Sequence, residues 1–175
     1  PAIMLLLRAP EFGLVTAQDG LLWFARDPQP SARLLQQVER LPGDAAPAPL
    51  AVFDEALALL EVELTRRDAE RFRLRCVWQP LPDLENRALF AVSWLEGVPH
   101  SRVPHLPTLA LYPTVVWEPG EAVQETFDFT APPGLPPGEY TVWTGWYDGA
   151  NVFAASTDAR SQVGEAVPIA VLTME

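Results

Sequence analysis

Two histidines lie five residues apart in a proline-containing stretch, and they are the first candidates for chemistry in this chain. His100 and His105 carry imidazole nitrogens of the kind that bind zinc or copper, and Asp83 or Glu96 could add a carboxylate oxygen. The spacing selects no third ligand. We therefore expect loop histidines that are solvated or hydrogen-bonded, and no metal site.

Hydroxyl, thiol and carboxylate groups are present, but their spacing specifies no reaction. No serine occupies a Gly-x-Ser-x-Gly elbow. Cys76, the single cysteine, falls on the apolar side of a predicted strand, where an inert core position is expected. A glycosidase needs two carboxyl groups about 5–9 Å apart across a cleft, and the 23 acidic residues allow such a pair without selecting one. The sequence thus predicts no catalytic residue and no cofactor, and a hydrolase with a carboxylate pair stays open as an alternative.

Large aromatic side chains are the residues best suited to hold a ligand. Flat rings stack against the C–H faces of sugars, and the predicted ligand-binding residues are Trp117, Trp143 and Tyr147. Trp143 and Tyr147 fall on the opposite side of their strand from Tyr140. Core packing is the alternative for all three, because a sandwich of this size needs large rings inside.

Three other tryptophans are expected to serve the core. They lie in strands with alternating apolar positions, where large rings commonly fill the space between two sheets. These residues are Trp78, Trp94 and Trp146.

Charge and composition exclude several classes of function. The net charge of −11 over 175 residues repels nucleic-acid phosphates and anionic lipid headgroups. All 12 basic residues are arginine, so a Schiff-base lysine and a phosphate-loop lysine are absent. No apolar run approaches the ~18 residues that cross a bilayer. We expect no nucleic-acid partner and no membrane insertion of this segment, and the oligomeric state is not specified.

The stretch 132–149, PPGLPPGEYTVWTGWYDG, contains the strand around which the chain is organised. A period of two places Val142 and Trp146 on one face and Trp143 and Tyr147 on the other. Because both faces carry large rings, this strand is predicted to be central in its sheet. The spacing Gly138-x-Tyr140 also fits a tyrosine corner, in which the phenol binds upstream backbone.

The rest of the chain beyond residue 50 reads as a series of short strands. The best-defined hairpin covers residues 57–65 and 71–78, with Glu63 expected opposite Arg73 and Glu61 opposite Arg75. Short strand candidates also cover 109–112 and 115–117. About seven or eight strands with turns every eight to twelve residues predict a mainly β fold, an antiparallel sandwich of the immunoglobulin-like or jelly-roll type.

The first 49 residues read as a separate small segment. Asp19-Gly20 between apolar runs predicts a β-hairpin. Residues 28–41 carry an apolar stripe, including Leu34, Val38 and Leu41, that predicts an amphipathic helix. A Pro-Ala linker covers 42–49. We therefore expect a hairpin-plus-helix α/β segment over 1–49 and the β-sandwich domain over 50–175.

Two parts of the chain resemble bacterial membrane proteins. Residues 109–149, LALYPTVVWEPGEAVQETFDFTAPPGLPPGEYTVWTGWYDG, and the upstream RFRLRCVWQPLPDLENRALFAVSWL resemble the C-terminal soluble β-sandwich of polytopic membrane glycosyltransferases that use lipid-linked sugars. The stretch from residue 5, LLLRAPEFGLVTAQDGLLWFARD, is similar to an uncharacterised family of predicted membrane proteins related to those transferases. The resemblance implies that the chain is cut from a longer protein and lies outside the cytoplasmic membrane, tethered through an upstream membrane region. It carries no catalytic residues onto this segment.

These observations lead to one functional expectation and two alternatives. We expect a non-catalytic extracytoplasmic accessory domain that binds or positions a glycan or another cell-envelope partner. A free-standing carbohydrate-binding module is the first alternative, and it requires exposed rings at Trp143, Tyr147 or Trp117. The hydrolase is the second, and it requires two acids that line a common cleft.

Overall fold

Two antiparallel sheets form the body of the computed structural model, which describes residues 12–18, 21–26, 38–41, 47–110, 112–149, 151–157 and 160–175. Its strands, in chain order, are β1 (Phe12–Gln18), β2 (Leu21–Arg26), β3 (Val38–Arg40), β4 (Ala51–Phe53), β5 (Leu57–Arg66), β6 (Arg71–Pro80), β7 (Phe90–Leu95), β8 (Val103–His105), β9 (Glu121–Thr130), β10 (Gly138–Tyr147), β11 (Ala155–Thr157), β12 (Arg160–Gly164) and β13 (Val167–Met174). The described part of the chain is therefore mainly β, as predicted.

The strand order separates a large sheet from a small one. The large sheet has seven strands in the order β12-β11-β4-β5-β6-β9-β3, and the small sheet has four in the order β13-β10-β7-β8. The pair β1-β2 forms its own two-stranded sheet. Consecutive strands are thus distributed between two layers whose inner faces bury a common core.

Strand β10 is central in the small sheet, as the rings on both of its faces predict. It pairs with β13 on one side and β7 on the other. Val142 and Trp146 are fully buried. At its start, the Tyr140 hydroxyl donates a hydrogen bond to the Pro136 carbonyl oxygen at 2.9 Å. The tyrosine corner is therefore confirmed, and it ties the β9–β10 connection to β10.

The core is centred on indole rings from both sheets. Trp78 of β6 meets Trp146 of β10 edge to face, with ring centroids 4.9 Å apart. Phe53 of β4 packs against Trp78 at 5.8 Å. Such contacts contribute about 0.5–1.5 kcal/mol beyond the burial of area. The expected core role is confirmed for Trp78 and Trp146, whereas Trp94 is only half-buried.

The β5–β6 hairpin forms, but with a different register from the predicted one. Glu63 lies opposite Arg75, and Thr65 lies opposite Arg73. The predicted pairing was wrong by two positions because the Asp68 carboxylate accepts hydrogen bonds from the backbone N–H groups of residues 70 and 71 and so moves the turn along the chain. Arg75 still reaches Glu61 diagonally, at 3.2 Å.

A further ion pair on the outer face of the large sheet joins β6 to β9. Arg73 binds the Asp128 carboxylate with two hydrogen bonds of 2.7 and 3.0 Å. These bonds hold the pKa of Asp128 below its ordinary value. This part of the face is thus solvated and carries arginine–carboxylate pairs.

The end of one predicted helix and two predicted short strands were wrong. Val38–Arg40 is a strand that pairs with β9, where the sequence predicts the end of a helix; residues 28–37 lie outside the described part of the chain. Without β3, β9 would leave unpaired backbone groups at the sheet edge.

Pro107–Ala110 and Thr114–Val116 are 3-10 turns where short strands were predicted. The prolines at 107 and 113 have no backbone N–H to donate to a β-ladder. A third 3-10 turn covers Pro82–Leu84. The predicted β1–β2 hairpin is confirmed.

The chain before residue 50 also contacts the outer face of the large sheet. Leu41 and Pro47 line a shallow groove there with three apolar residues of the sheet. The sheet residues are Leu60, Val77 and Ala122. Leu60 and Ala122 are buried although they lie outside the core between the sheets. Residues 38–41 and Pro47 therefore pack against the sandwich.

We expect the fragment 50–175 to be less stable than the fragment 38–175. The shorter fragment lacks β3 and residues 41 and 47. Apolar area on β5 and β9 is then uncovered and one edge of β9 is unpaired, so the free energy of unfolding should fall by about 2 kcal/mol. Urea unfolding of both fragments measures the difference. Equal unfolding midpoints and slopes would contradict the packing of residues 38–41 and of Pro47 on the large sheet.

Gly145 of β10 is required by a close backbone approach. A Cβ atom placed there would lie 2.7 Å from the carbonyl oxygen of Glu165, which is closer than real Cβ atoms approach. The connection from β12 to β13 therefore crosses the outer face of β10 at this point.

We predict that Gly145→Ala destabilises the fold by about 1–3 kcal/mol, because the added methyl must displace backbone. Gly164→Ala is the matched control, since its Cβ would meet its nearest atom at 3.5 Å, an ordinary contact. Thermal or denaturant unfolding of both variants gives the comparison. Equal effects of the two substitutions would show that the crossing at Glu165 is not a constraint.

Candidate ligand-binding face

The outer face of the small sheet carries aromatic side chains from β7 and β10. On β7, Ala91, Ser93 and Leu95 are buried between the sheets, so the alternate residues face outward. Phe90 lies opposite Tyr147 and Trp94 lies opposite Trp143 across the two strands. We call these four rings, with Val92 between them, the aromatic face.

The rings of the aromatic face form two cross-strand pairs. Phe90 and Tyr147 are stacked, with centroids 5.4 Å apart and planes 18° from parallel. All four rings are half-buried. Half-buried rings on a sheet surface present part of their area to a ligand while their neighbours hold them in place.

The Trp94–Trp143 pair includes a cation. The Arg102 guanidinium lies over the Trp94 ring, 5.0 Å from its centroid. The Trp143 indole nitrogen is shielded from solvent and has no hydrogen-bond partner among the described residues. Unpaired buried donors are uncommon in folded proteins, which makes Trp143 the least satisfied residue of the face.

Trp117 does not join Trp143 and Tyr147. Trp117 is 4% exposed. Its Nε1 donates a hydrogen bond to the Tyr112 carbonyl oxygen at 2.8 Å, and the Trp117 and Tyr112 rings are stacked with centroids 6.5 Å apart. Two of the three predicted ligand-binding residues therefore lie on one face, and the third is buried against Tyr112. Their role in ligand binding stays a prediction.

The two histidines lie in different environments. His100 is exposed, with a positive φ of 61°, whereas His105 stacks on Phe127 of β9 at 3.8 Å. Its Nε2 lies 3.6 Å from a carboxylate oxygen of Glu125. Among the residues that the structure describes, no group of three or more His, Cys, Asp and Glu side chains is placed to hold a metal ion.

Glu125 is a buried carboxylate that the sequence interpretation missed. It is 1% exposed and accepts hydrogen bonds from the Trp78 indole N–H at 2.7 Å and the Thr108 backbone N–H at 3.2 Å. The signal was available, because Glu125 has the same parity along β9 as Val123 and Phe127. A second buried carboxylate, Glu121, accepts the Tyr112 hydroxyl at 2.8 Å and the backbone N–H of residue 118 at 3.2 Å.

Thr108 is held in an uncommon conformation beside Glu125. Its φ of 54° is rare for a β-branched residue. Its hydroxyl oxygen lies 2.7 Å from the Pro107 carbonyl oxygen and 2.8 Å from that of Tyr112, which share its one proton, and it accepts the Tyr112 N–H at 2.9 Å. These contacts, with the bond to Glu125, offset the backbone strain and fix the segment between β8 and β9.

Cys76 lies opposite Glu125 on β6, inside the core. Burial raises the pKa of the Cys76 thiol well above its usual value, and the Glu125 carboxylate adds to the rise. The thiolate is therefore disfavoured, and the predicted core position of Cys76 is confirmed.

Comparisons with models of known protein families and with characterised proteins found no match for this chain. Within the described ranges, no helix is long and apolar enough to span a bilayer.

We predict that Glu125→Ala destabilises the fold by about 3 kcal/mol. The substitution leaves the Trp78 indole N–H and the Thr108 N–H in the core without an acceptor. Glu63→Ala is the control, because Glu63 is an exposed carboxylate on the large sheet, where substitutions usually change stability by about 0.5 kcal/mol or less. Urea unfolding checks both. A Glu125 variant as stable as the Glu63 variant would contradict the anchoring role.

Proposed function

We propose that this chain is a non-catalytic accessory domain of a membrane protein, placed on the extracytoplasmic side, that holds a glycan on the aromatic face. The binding of a glycan is argued from the face itself. The membrane context and the location rest on the resemblance of residues 109–149 and of the N-terminal stretch. The two parts of the proposal can be tested separately.

The observation that carries the proposal is the contrast between the two outer surfaces of the sandwich. The large sheet presents charged pairs such as Arg73–Asp128. The small sheet presents the ring pairs Phe90–Tyr147 and Trp94–Trp143, in a protein whose net charge is −11. Clustered apolar surface on a water-exposed face commonly marks a binding site, and stacked aromatic rings suit the flat faces of sugars.

The strand order supports an immunoglobulin-like assignment of the sandwich. The order β5-β6-β9 in one layer and β8-β7-β10-β13 in the other corresponds to the A-B-E and C′-C-F-G layers of that architecture. The corner made by Tyr140 at the start of β10 occupies the expected position at the E–F connection. Many domains with this architecture bind partners without catalysing a reaction, so the fold is compatible with the proposed role and does not by itself establish it.

The arrangement of the buried acids favours binding over hydrolysis. Glu121 and Glu125 are four residues apart on β9, which corresponds to about 13 Å along a strand. Both carboxylates accept hydrogen bonds from internal donors, the Tyr112 hydroxyl and the Trp78 indole among them. A glycosidase pair must instead face a cleft with its oxygens available to substrate.

A free-standing carbohydrate-binding module is the second candidate, supported by the same aromatic face. It differs from the accessory domain only in its context. The reading frame upstream of the codon for Pro1 distinguishes the two candidates. If it encodes membrane helices, the accessory domain is supported; if it encodes a secretion signal and no membrane helix, the free-standing module is supported.

We expect a glycan array probed with the 175-residue chain to show specific binding that Trp143→Ala reduces at least tenfold, or about 1.4 kcal/mol. Trp143→Phe should retain more of the binding than Trp143→Ala, because it keeps a ring. Val171→Ala is the control on the same sheet, since Val171 is 57% exposed and lies outside the ring pairs.

Circular dichroism and thermal unfolding of each variant show whether the fold is intact. Specific binding that survives Trp143→Ala in a folded protein would place the site elsewhere. Absence of binding to every sugar on the array would overturn the glycan proposal and leave a scaffold role.

A further inference from the structure

We infer that the ligand of the aromatic face is an uncharged oligosaccharide long enough to touch both ring pairs at once. This inference rests on the proposed glycan function and adds the length, the path and the charge of the ligand.

The length follows from the strand register. Phe90 and Trp94 are four residues apart on β7, and Tyr147 and Trp143 are four apart on β10. Four residues of a strand span about 13 Å. A single pyranose ring, similar in size to a tyrosine ring, covers one pair only, so contact with both requires a chain of sugars.

The path follows from what lies between the pairs. On β10 the intervening residue is Gly145, and the Glu165 carbonyl oxygen lies over it, 2.7 Å from the position of a Cβ atom. The connection from β12 to β13 therefore occupies the β10 side of the face. On β7 the intervening residue is Val92, whose partner on β8 is Pro104. A ligand that joins the two pairs must run along β7, over Val92.

The charge follows from the same positions. Val92 and Gly145 are the outward residues between the pairs, and neither can form an ion pair or a side-chain hydrogen bond. A carboxylate or phosphate placed there would lose water without gaining a partner, which is costly. The net charge of −11 also disfavours an anionic ligand. Arg102 is the nearby cation, but it lies over Trp94 at one end of the face, away from the midpoint.

Calorimetric titration of the 175-residue chain with sugar oligomers tests the inference. The neutral probes are β-1,4-linked glucose, β-1,4-linked N-acetylglucosamine and α-linked mannose oligomers of one to six units, and oligogalacturonides of the same lengths are the acidic comparison. We expect the affinity for at least one neutral series to rise tenfold or more with length and then level off. Trp143→Ala and Tyr147→Ala should each return the long oligomers to the affinity of the short ones, while Trp143→Phe keeps the dependence on length.

Three results would overturn the inference while the glycan function stands. They are equal affinity for one unit and six, tighter binding of the oligogalacturonides, and loss of affinity with only one of the two ring variants in folded protein. Failure of every series to bind would instead overturn the proposed function together with the inference.

Discussion

The contacts of the Trp78 indole hold the structure together. Its ring meets Trp146 of the opposite sheet edge to face at 4.9 Å, and its N–H donates to the buried Glu125 carboxylate at 2.7 Å. Glu125 in turn accepts the N–H of Thr108. One side chain thus joins both sheets and, through a carboxylate, the segment between β8 and β9. A buried carboxyl group that accepts several hydrogen bonds is stable only while each donor keeps its place, so this contact constrains the middle of the chain.

With the core fixed in this way, the two outer surfaces can differ in chemistry. The large sheet uses outward positions such as Arg73 and Asp128 for exposed arginine–carboxylate pairs, which contribute little each to stability. Its other outward positions include Leu60 and Ala122, beside Leu41 and Pro47. The small sheet uses the same kind of positions for aromatic residues that lie opposite each other across β7 and β10, and the Phe90 and Tyr147 rings are stacked. The rings of the aromatic face are not needed to join the layers, because Trp78 and Trp146 already do so. These four half-buried rings are therefore not part of the contact that holds the two sheets together.

The unusual residues of this protein lie in two places, beside the segment between β8 and β9 and on the aromatic face. Glu121, Glu125 and Thr108 would attract attention as candidates for catalysis, since buried acids and strained backbone often mark active sites. Their hydrogen bonds go to internal donors and acceptors of the segment between β8 and β9, so their role is to hold that segment. On the aromatic face, the buried indole nitrogen of Trp143 has no hydrogen-bond partner among the described residues.

What the sequence determined by itself was local. The period of two along β6, β9 and β10 identified these strands and their inward sides, and the Gly138-x-Tyr140 spacing identified the tyrosine corner. Along β5 the same period grouped Leu60 with Val62 and Leu64, which was wrong because the register shifts between Leu59 and Glu61. The same alternation placed Trp143 and Tyr147 on one side of β10, because the side on which a strand residue points depends only on its position in the strand.

The tertiary structure decided everything that depends on partners distant in the chain. Val38–Arg40 became a strand because β9 offered an edge to pair with, although the local pattern favoured a helix. Trp117 became a buried ring because Tyr112 packs on it. Phe90 and Trp94 joined the aromatic face only through the register of β7 with β10. The period of the sequence predicts which residues share a face of a strand. Whether that face is buried depends on the elements that pack against it, and these lie too far away in the chain to be read from a local pattern.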